Sequence, residues 1–205
     1  MKNEKPILFS GEMVRAILEG RKTQTRRFAA PASGSFPLSA PNFKYGNVGD
    51  RLWVRETWRT EVHTGEYKMI GYRANDTNED CRPATNLSEF NRLWEKYQDN
   101  GWRPSIFMPR WASRITLEIT AVRVERLKDI SEVDAKAEGI TPRQYRDDTF
   151  WTNYLKGTKP KGGVDGEVIA FRSPIESYSS LWNSINGAGS WDANPWVWVI
   201  EFKKI

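Results

Sequence analysis

Gly20-Arg21-Lys22-Thr23-Gln24-Thr25-Arg26-Arg27 places four cations and two hydroxyls in eight residues, with no apolar side chain among them. The segment before it is amphipathic. Residues 12–19 set Met13, Val14, Ile17 and Leu18 on one face of a predicted helix, and Gly20 is a natural C-terminal stop. A basic run in this place has two readings. It is a solvated face that complements the negative end of the helix dipole, or it holds an anionic or base-like ligand.

Working outward, residues 6–10 read as a short strand ahead of the helix. Residues 29–46, rich in Pro, Ser, Ala and Gly, read as a long surface loop. Gly49-Asp50 turns into an aromatic-rich strand over 51–58. Residues 59–103 are polar and irregular, with a helix around 88–97, and their apolar periodicity is too sparse for a core of their own. The clearest strand is 114–127. There Ile115, Leu117 and Ile119, then Val122 and Val124, alternate with polar residues, and the phase slips once near Ala121, as at a bulge. Ser131-Glu132-Val133-Asp134 has the pattern of a capping box, starting a short helix that runs to Glu138 and stops at Gly139. Residues 141–168 are polar, with a Lys/Gly-rich piece at 156–166 expected to be mobile. A helix over 174–185 closes at Asn186-Gly187, and 196–202 is a last strand. Strands separated by long loops and a few short helices predict an α+β fold: a small mixed β-barrel with short peripheral helices, not a doubly wound sheet.

The chain of 205 residues is long enough to bury a substantial core. Its net charge of +5 favours a polyanionic partner mildly, and the first thirty residues alone carry +4. Cys81 is the only cysteine and His63 the only histidine, so an intrachain disulfide, a Cys/His zinc site and a His-based triad all lack members. Both residues fall in the polar stretch and read as incidental. No apolar leader or membrane-length run is visible, which predicts a cytoplasmic protein that does not engage a membrane.

These blocks, in this order, resemble the ASCH domain, a branch of the PUA-like β-barrel superfamily. The resemblance rests on the helix ending at Gly20 and on Lys22, Thr25 and Arg27 in a G-x-K-x-x-T-x-R signature. It continues through Gly49-Asp50, the strand over 114–127, the helix bearing Glu138 and the closing strand. Leu52 to Trp58 and Ser190 to Trp198 look like ASCH proteins carried by phages and prophages, which would place the protein in a bacterial host. The resemblance covers about half the residues. It implies one PUA-like domain over 1–205, interrupted by insertions at about 59–103 and 141–168 that compact ASCH enzymes lack.

One ASCH enzyme removes the acetyl group of N4-acetylcytidine using a Lys and a Thr from the signature and a Glu from the later helix. Carried over, these are Lys22, Thr25 and Glu138, with no cofactor and no metal. The resemblance implies an amidohydrolase acting on an N4-acylated cytosine nucleoside or modified base. Two other readings stay open: a non-catalytic RNA- or DNA-binding module, and a ribonuclease. The partner is a modified nucleoside or a nucleic acid in each case. Arg21, Arg26, Arg27, Arg55, Glu56, Trp58 and Trp191 are the candidates for holding it, with Trp58 and Trp191 weighed as stacking platforms against ordinary core packing.

The chemistry sets two conditions. A threonine hydroxyl needs a base within hydrogen-bond reach. Lys22 can serve if desolvation and Arg21, Arg26 and Arg27 lower its pKa, whereas a close Glu138 would raise it. In a regular strand, Lys22 and Thr25 point to opposite faces, so the pairing predicts irregular backbone within residues 22–25.

Overall fold

The computed structural model describes residues 3–29, 44–63, 67–74, 82–97, 101–155 and 170–205. The expected loop over 29–46, the 156–166 piece and Cys81 lie wholly or mostly outside those residues. The chain divides into two compact units. Unit 1 is Met1–Leu18, Lys44–Ile119 and Lys203–Ile205, and unit 2 is Glu19–Phe43 and Thr120–Phe202.

Unit 1 opens with β1 (Glu4–Leu8) and α1 (Gly11–Leu18), whose Val14, Ala16 and Ile17 are buried. β1 pairs in parallel with β3 (Arg51–Arg55), and β3 pairs antiparallel with the start of β7 (Thr116–Arg126). The aromatic-rich strand stops at Arg55 and does not run on to Trp58, where a new strand begins. β4 (Trp58–His63), β5 (Tyr67–Tyr72) and β6 (Arg82–Pro83) form a separate three-stranded sheet, followed by α2 (Leu87–Tyr97).

Residues 59–103 contribute Ile70, Tyr72 and Phe90 to a core shared with the chain on either side. Trp58, Ile70, Tyr72, Phe90, Met108 and Ala112 pack as one buried cluster. Its periodicity is hidden because β4 buries the polar residues Thr60 and Glu61. A two-residue period read from hydrophobicity fails wherever polar side chains occupy both faces.

Unit 2 carries β2 (Gln24–Phe28), most of β7, α3 (Glu132–Ala137), α4 (Pro174–Asn186) and most of β11 (Trp196–Lys204). β11 pairs antiparallel with β2 in the register Trp198 to Arg27 and Ile200 to Thr25. The insertion at 141–168 also contains regular structure. A hairpin of β8 (Pro142–Tyr145) and β9 (Asp148–Thr152) is joined by β10 (Ala170–Phe171) in a second three-stranded sheet.

The larger sheet has the order β1-β3-β7-β11-β2, with β7 passing from one unit into the other. Among the described residues β1 and β2 are its two ends. The fold is therefore mixed α+β, mostly sheet with a few helices, and among the described residues the sheet does not close into the expected small mixed β-barrel. No helix among the described residues is long and apolar enough to cross a membrane.

Candidate functional site

The site is built within unit 2 by two glycines and one strand alternation. Gly20, at φ +76°, ends the helical turn and releases the chain into extended backbone. Ser131 caps α3 by accepting a hydrogen bond from the Asp134 amide at 3.1 Å. At the other end Glu138 closes α3, and Gly139, at φ +84°, reverses the chain. That reversal leaves Glu138 in an isolated antiparallel bridge with Lys22, while the Thr23 amide donates to the Ala137 carbonyl.

Regular strand starts only at Gln24, so Lys22 stands ahead of it, but the extended alternation already holds. Lys22, Gln24 and Arg26 all turn towards α3. Lys22 Nζ donates to the Glu138 carbonyl at 2.8 Å and to Glu138 Oε2 at 2.9 Å. Gln24 Nε2 donates to the Asp134 carbonyl at 2.8 Å. Arg26 Nη1 donates to Glu138 Oε1 at 3.0 Å, and Arg26 Nη2 reaches Glu125 Oε1 at 2.6 Å and Asp134 Oδ2 at 3.2 Å. Arg123 closes the network from β7, donating to Glu125 Oε2 at 3.0 Å, to Asp134 Oδ2 at 2.9 Å and to Glu201. Three cations thus face four carboxylates, three of them on Arg26, with Glu138 shared between Lys22 and Arg26. Thr25, equally buried, occupies the odd position of this alternation.

The electrostatics answer the question that the sequence left open for Lys22. Burial is the largest influence on its ammonium and outweighs the attraction of Glu138, so its pKa lies below the ordinary lysine value. Burial also opposes the charge of Arg26, but Glu138, Tyr178 and Glu125 outweigh it and raise the guanidinium pKa. Burial works against ionised Asp134 too, yet Arg26 and Arg123 hold its carboxyl low. Tyr178 lies under Arg26, with the guanidinium 5.8 Å from its ring centroid. Burial first, and the charge of Glu138 second, push its phenol well above the ordinary tyrosine range. The centre therefore combines arginines whose charge their carboxylates favour with one lysine whose charge burial disfavours.

The other candidates are distributed as follows. Arg21 lies at the edge of the network, donating to the Gly139 carbonyl at 2.8 Å and to Glu19 at 2.7 Å. Arg27 is half-buried opposite Trp198. Trp191 packs edge-on against Tyr178 at 6.1 Å and so joins the same neighbourhood. Arg55, Glu56 and Trp58 belong to unit 1. Glu56 pairs there with Arg114 through two 2.9 Å hydrogen bonds, Arg55 lies over Trp53 at 4.6 Å, and Trp58 is buried in the aromatic cluster, not offered as a platform.

Sequence reading missed Glu125, Asp134, Arg123, Gln24 and Tyr178. Asp134 passed for a capping residue and Glu125 for the polar side of a strand. The available signal was the even spacing of Lys22, Gln24 and Arg26, a polar strand face that needs polar partners when buried. The carboxylates turn onto arginines, and no group of His, Cys, Asp or Glu among the described residues is placed to hold a metal ion. No protein-family model, no curated protein and no solved structure matches the chain.

Proposed function

We propose that the polar centre of unit 2 hydrolyses the exocyclic amide of an N4-acylated cytosine, as the resemblance of the G-x-K-x-x-T-x-R signature to ASCH amidohydrolases implies. The observation that supports this reading is the buried contact of Lys22 Nζ with the Glu138 carboxylate at 2.9 Å, on a lysine whose pKa burial lowers. A neutral amine there accepts the proton of a nucleophilic hydroxyl as the oxygen bonds to the acyl carbon. The same proton, passed through the Lys22–Glu138 pair, reaches the leaving N4 amine as the C–N bond breaks. Water then cleaves the acyl-oxygen bond and restores the hydroxyl. The resemblance makes Thr25 the nucleophile and Arg27 the group that stabilises the oxyanion. The alternation through Lys22, Gln24 and Arg26 supports Lys22 and Glu138 as the proton-handling pair and counts against Thr25, which takes the odd position and turns from Lys22.

Hydrolysis of N4-acetylcytidine and longer N4-acyl cytosines, with Lys22→Met, Thr25→Val and Glu138→Gln beside the wild type, tests the reading. Turnover should fall about 10²–10⁴-fold in Lys22→Met and Glu138→Gln. A comparable loss in Thr25→Val identifies the nucleophile, and retained turnover in that variant assigns attack to water. Folded wild type that cleaves none of the acyl cytosines overturns the proposal.

A further inference from the structure

The β8–β9 hairpin carries a second arrangement, independent of the polar centre. In an antiparallel pair, directly opposed residues share a face. Opposition of Arg143 to Phe150 and of Tyr145 to Asp148 puts these four on one side, with Thr152 next along β9. The opposite side carries Trp151, which lies under Lys136 of α3 at 5.6 Å and so faces the body of unit 2. The Arg143 side therefore faces outward. On it, Tyr145 is 53 % exposed and Arg143, Arg146 and Arg172 are exposed, while Phe150 is half-buried.

Each outward ring has an arginine over it. Arg146 lies 5.5 Å from the Tyr145 centroid and Arg172 lies 5.3 Å from that of Phe150. Arg143, directly opposite Phe150, is fixed by a 3.1 Å hydrogen bond from its Nε to Thr152 Oγ1. The turn itself is unusual. Arg146 holds φ +52° at the first position of a two-residue turn, where hairpins ordinarily place glycine. An arginine there accepts backbone strain while delivering its charge to the hairpin tip.

We infer that this face binds single-stranded nucleic acid, with bases stacked on Tyr145 and Phe150 and phosphates on Arg143, Arg146 and Arg172. Alternating rings and guanidinium groups on an open sheet face match the chemistry of that ligand, in which apolar planes alternate with negative charges. Duplex DNA keeps its bases stacked on each other and offers nothing to the rings. Asp148, beside Tyr145, and Asp147 in the turn repel phosphate at the extreme tip, so the contacts there are one base on Tyr145 and one phosphate on Arg146, and the remaining phosphates lie along Arg143 and Arg172. The inference does not depend on turnover at Lys22 and Glu138.

Fluorescence anisotropy with a labelled oligouridylate and an oligothymidylate of about twelve nucleotides, over a salt series, tests it. Tyr145→Ala should weaken binding about tenfold. Arg172→Ser should reduce the slope of log affinity against log salt by about 0.7, the value of one lost single-strand phosphate contact. Arg146→Gly relaxes the turn, so a folded hairpin with weaker binding is expected, and this variant separates loss of a contact from loss of fold. All three should hydrolyse free acyl nucleosides as the wild type does. Affinity unchanged in Tyr145→Ala and Arg146→Gly, or equal affinity for a duplex of the same length, overturns the inference.

Discussion

Each unit buries an ion-pair centre, and the two are built on different terms. Unit 1 holds one carboxylate and one guanidinium, Glu56 and Arg114, joined by two parallel hydrogen bonds with the arginine stacked 4.1 Å over Tyr72. That pair is closed: a guanidinium does not give up its proton, and its fork is filled by the carboxylate. Unit 2 shares the Glu138 carboxylate between Arg26 and Lys22, and Lys22 is the member whose charge burial disfavours. The difference separates a single carboxylate–guanidinium clamp from a shared carboxylate beside a lysine whose charge burial disfavours.

Truncating the shared acid in each unit gives the largest effects and can break the comparison. Glu56→Ala removes the doubly hydrogen-bonded carboxylate from a buried guanidinium and should cost about 3–5 kcal/mol in chemical denaturation. Glu138→Ala should cost less, about 2–3 kcal/mol, because Lys22 can shed its proton and Arg26 keeps Glu125 and Asp134. A larger loss for Glu138→Ala would mean that Lys22 cannot be neutralised where it lies.

The pH dependence sharpens the same point. With its folded pKa depressed, Lys22 binds fewer protons in the folded chain than in the unfolded one between that pKa and the ordinary lysine value. Stability from this group therefore rises with pH across the window, by at most about 1.4 kcal/mol per pH unit, and is lost as pH falls through the folded pKa. Tyr178 has the opposite sign. Its raised pKa contributes stability that is present below the ordinary tyrosine value and lost as pH rises through the folded one. Subtracting the profile of Lys22→Met from that of the wild type isolates the lysine. A difference that is flat or falls with pH through the alkaline range contradicts a depressed Lys22.

The smallest expected effect lies in the support of the centre. Ser131→Ala removes the cap of α3, the helix that carries Asp134 and leads to Glu138, and should cost about 1 kcal/mol. Amide exchange should quicken through residues 132–138 and leave Glu56 and Arg114 undisturbed. Equal quickening in both places would show that the two centres do not open separately.

Much of the local structure was legible. Gly20, Gly139 and Gly187 mark element ends because each takes a positive φ there, and Ser131 reads as a cap because its hydroxyl satisfies an otherwise open amide. The strand around Leu117 and Ile119 showed itself by alternation. What stayed hidden was the role of polar residues in the interior. Thr60, Glu61 and Glu56 are buried in unit 1, and Gln24, Arg26 and Glu138 in unit 2, where a hydrophobicity pattern reads all of them as surface. The β8–β9 hairpin was missed for the converse reason, since nearly all its side chains are exposed and leave no periodic trace.

Sequence alone determined where helices end, which residues are chemically able to act, and that Lys22 and Thr25 would be set at odds by strand alternation. Those properties are local, dictated by backbone sterics and side-chain chemistry within a few residues. Only the tertiary structure decided that Lys22 and Arg26 meet the same carboxylate 112–116 residues away, and that burial prevails over attraction at the lysine. It also decided that Glu56 belongs to Arg114. Such outcomes depend on which side chains water no longer reaches, and the packing of the whole chain sets that.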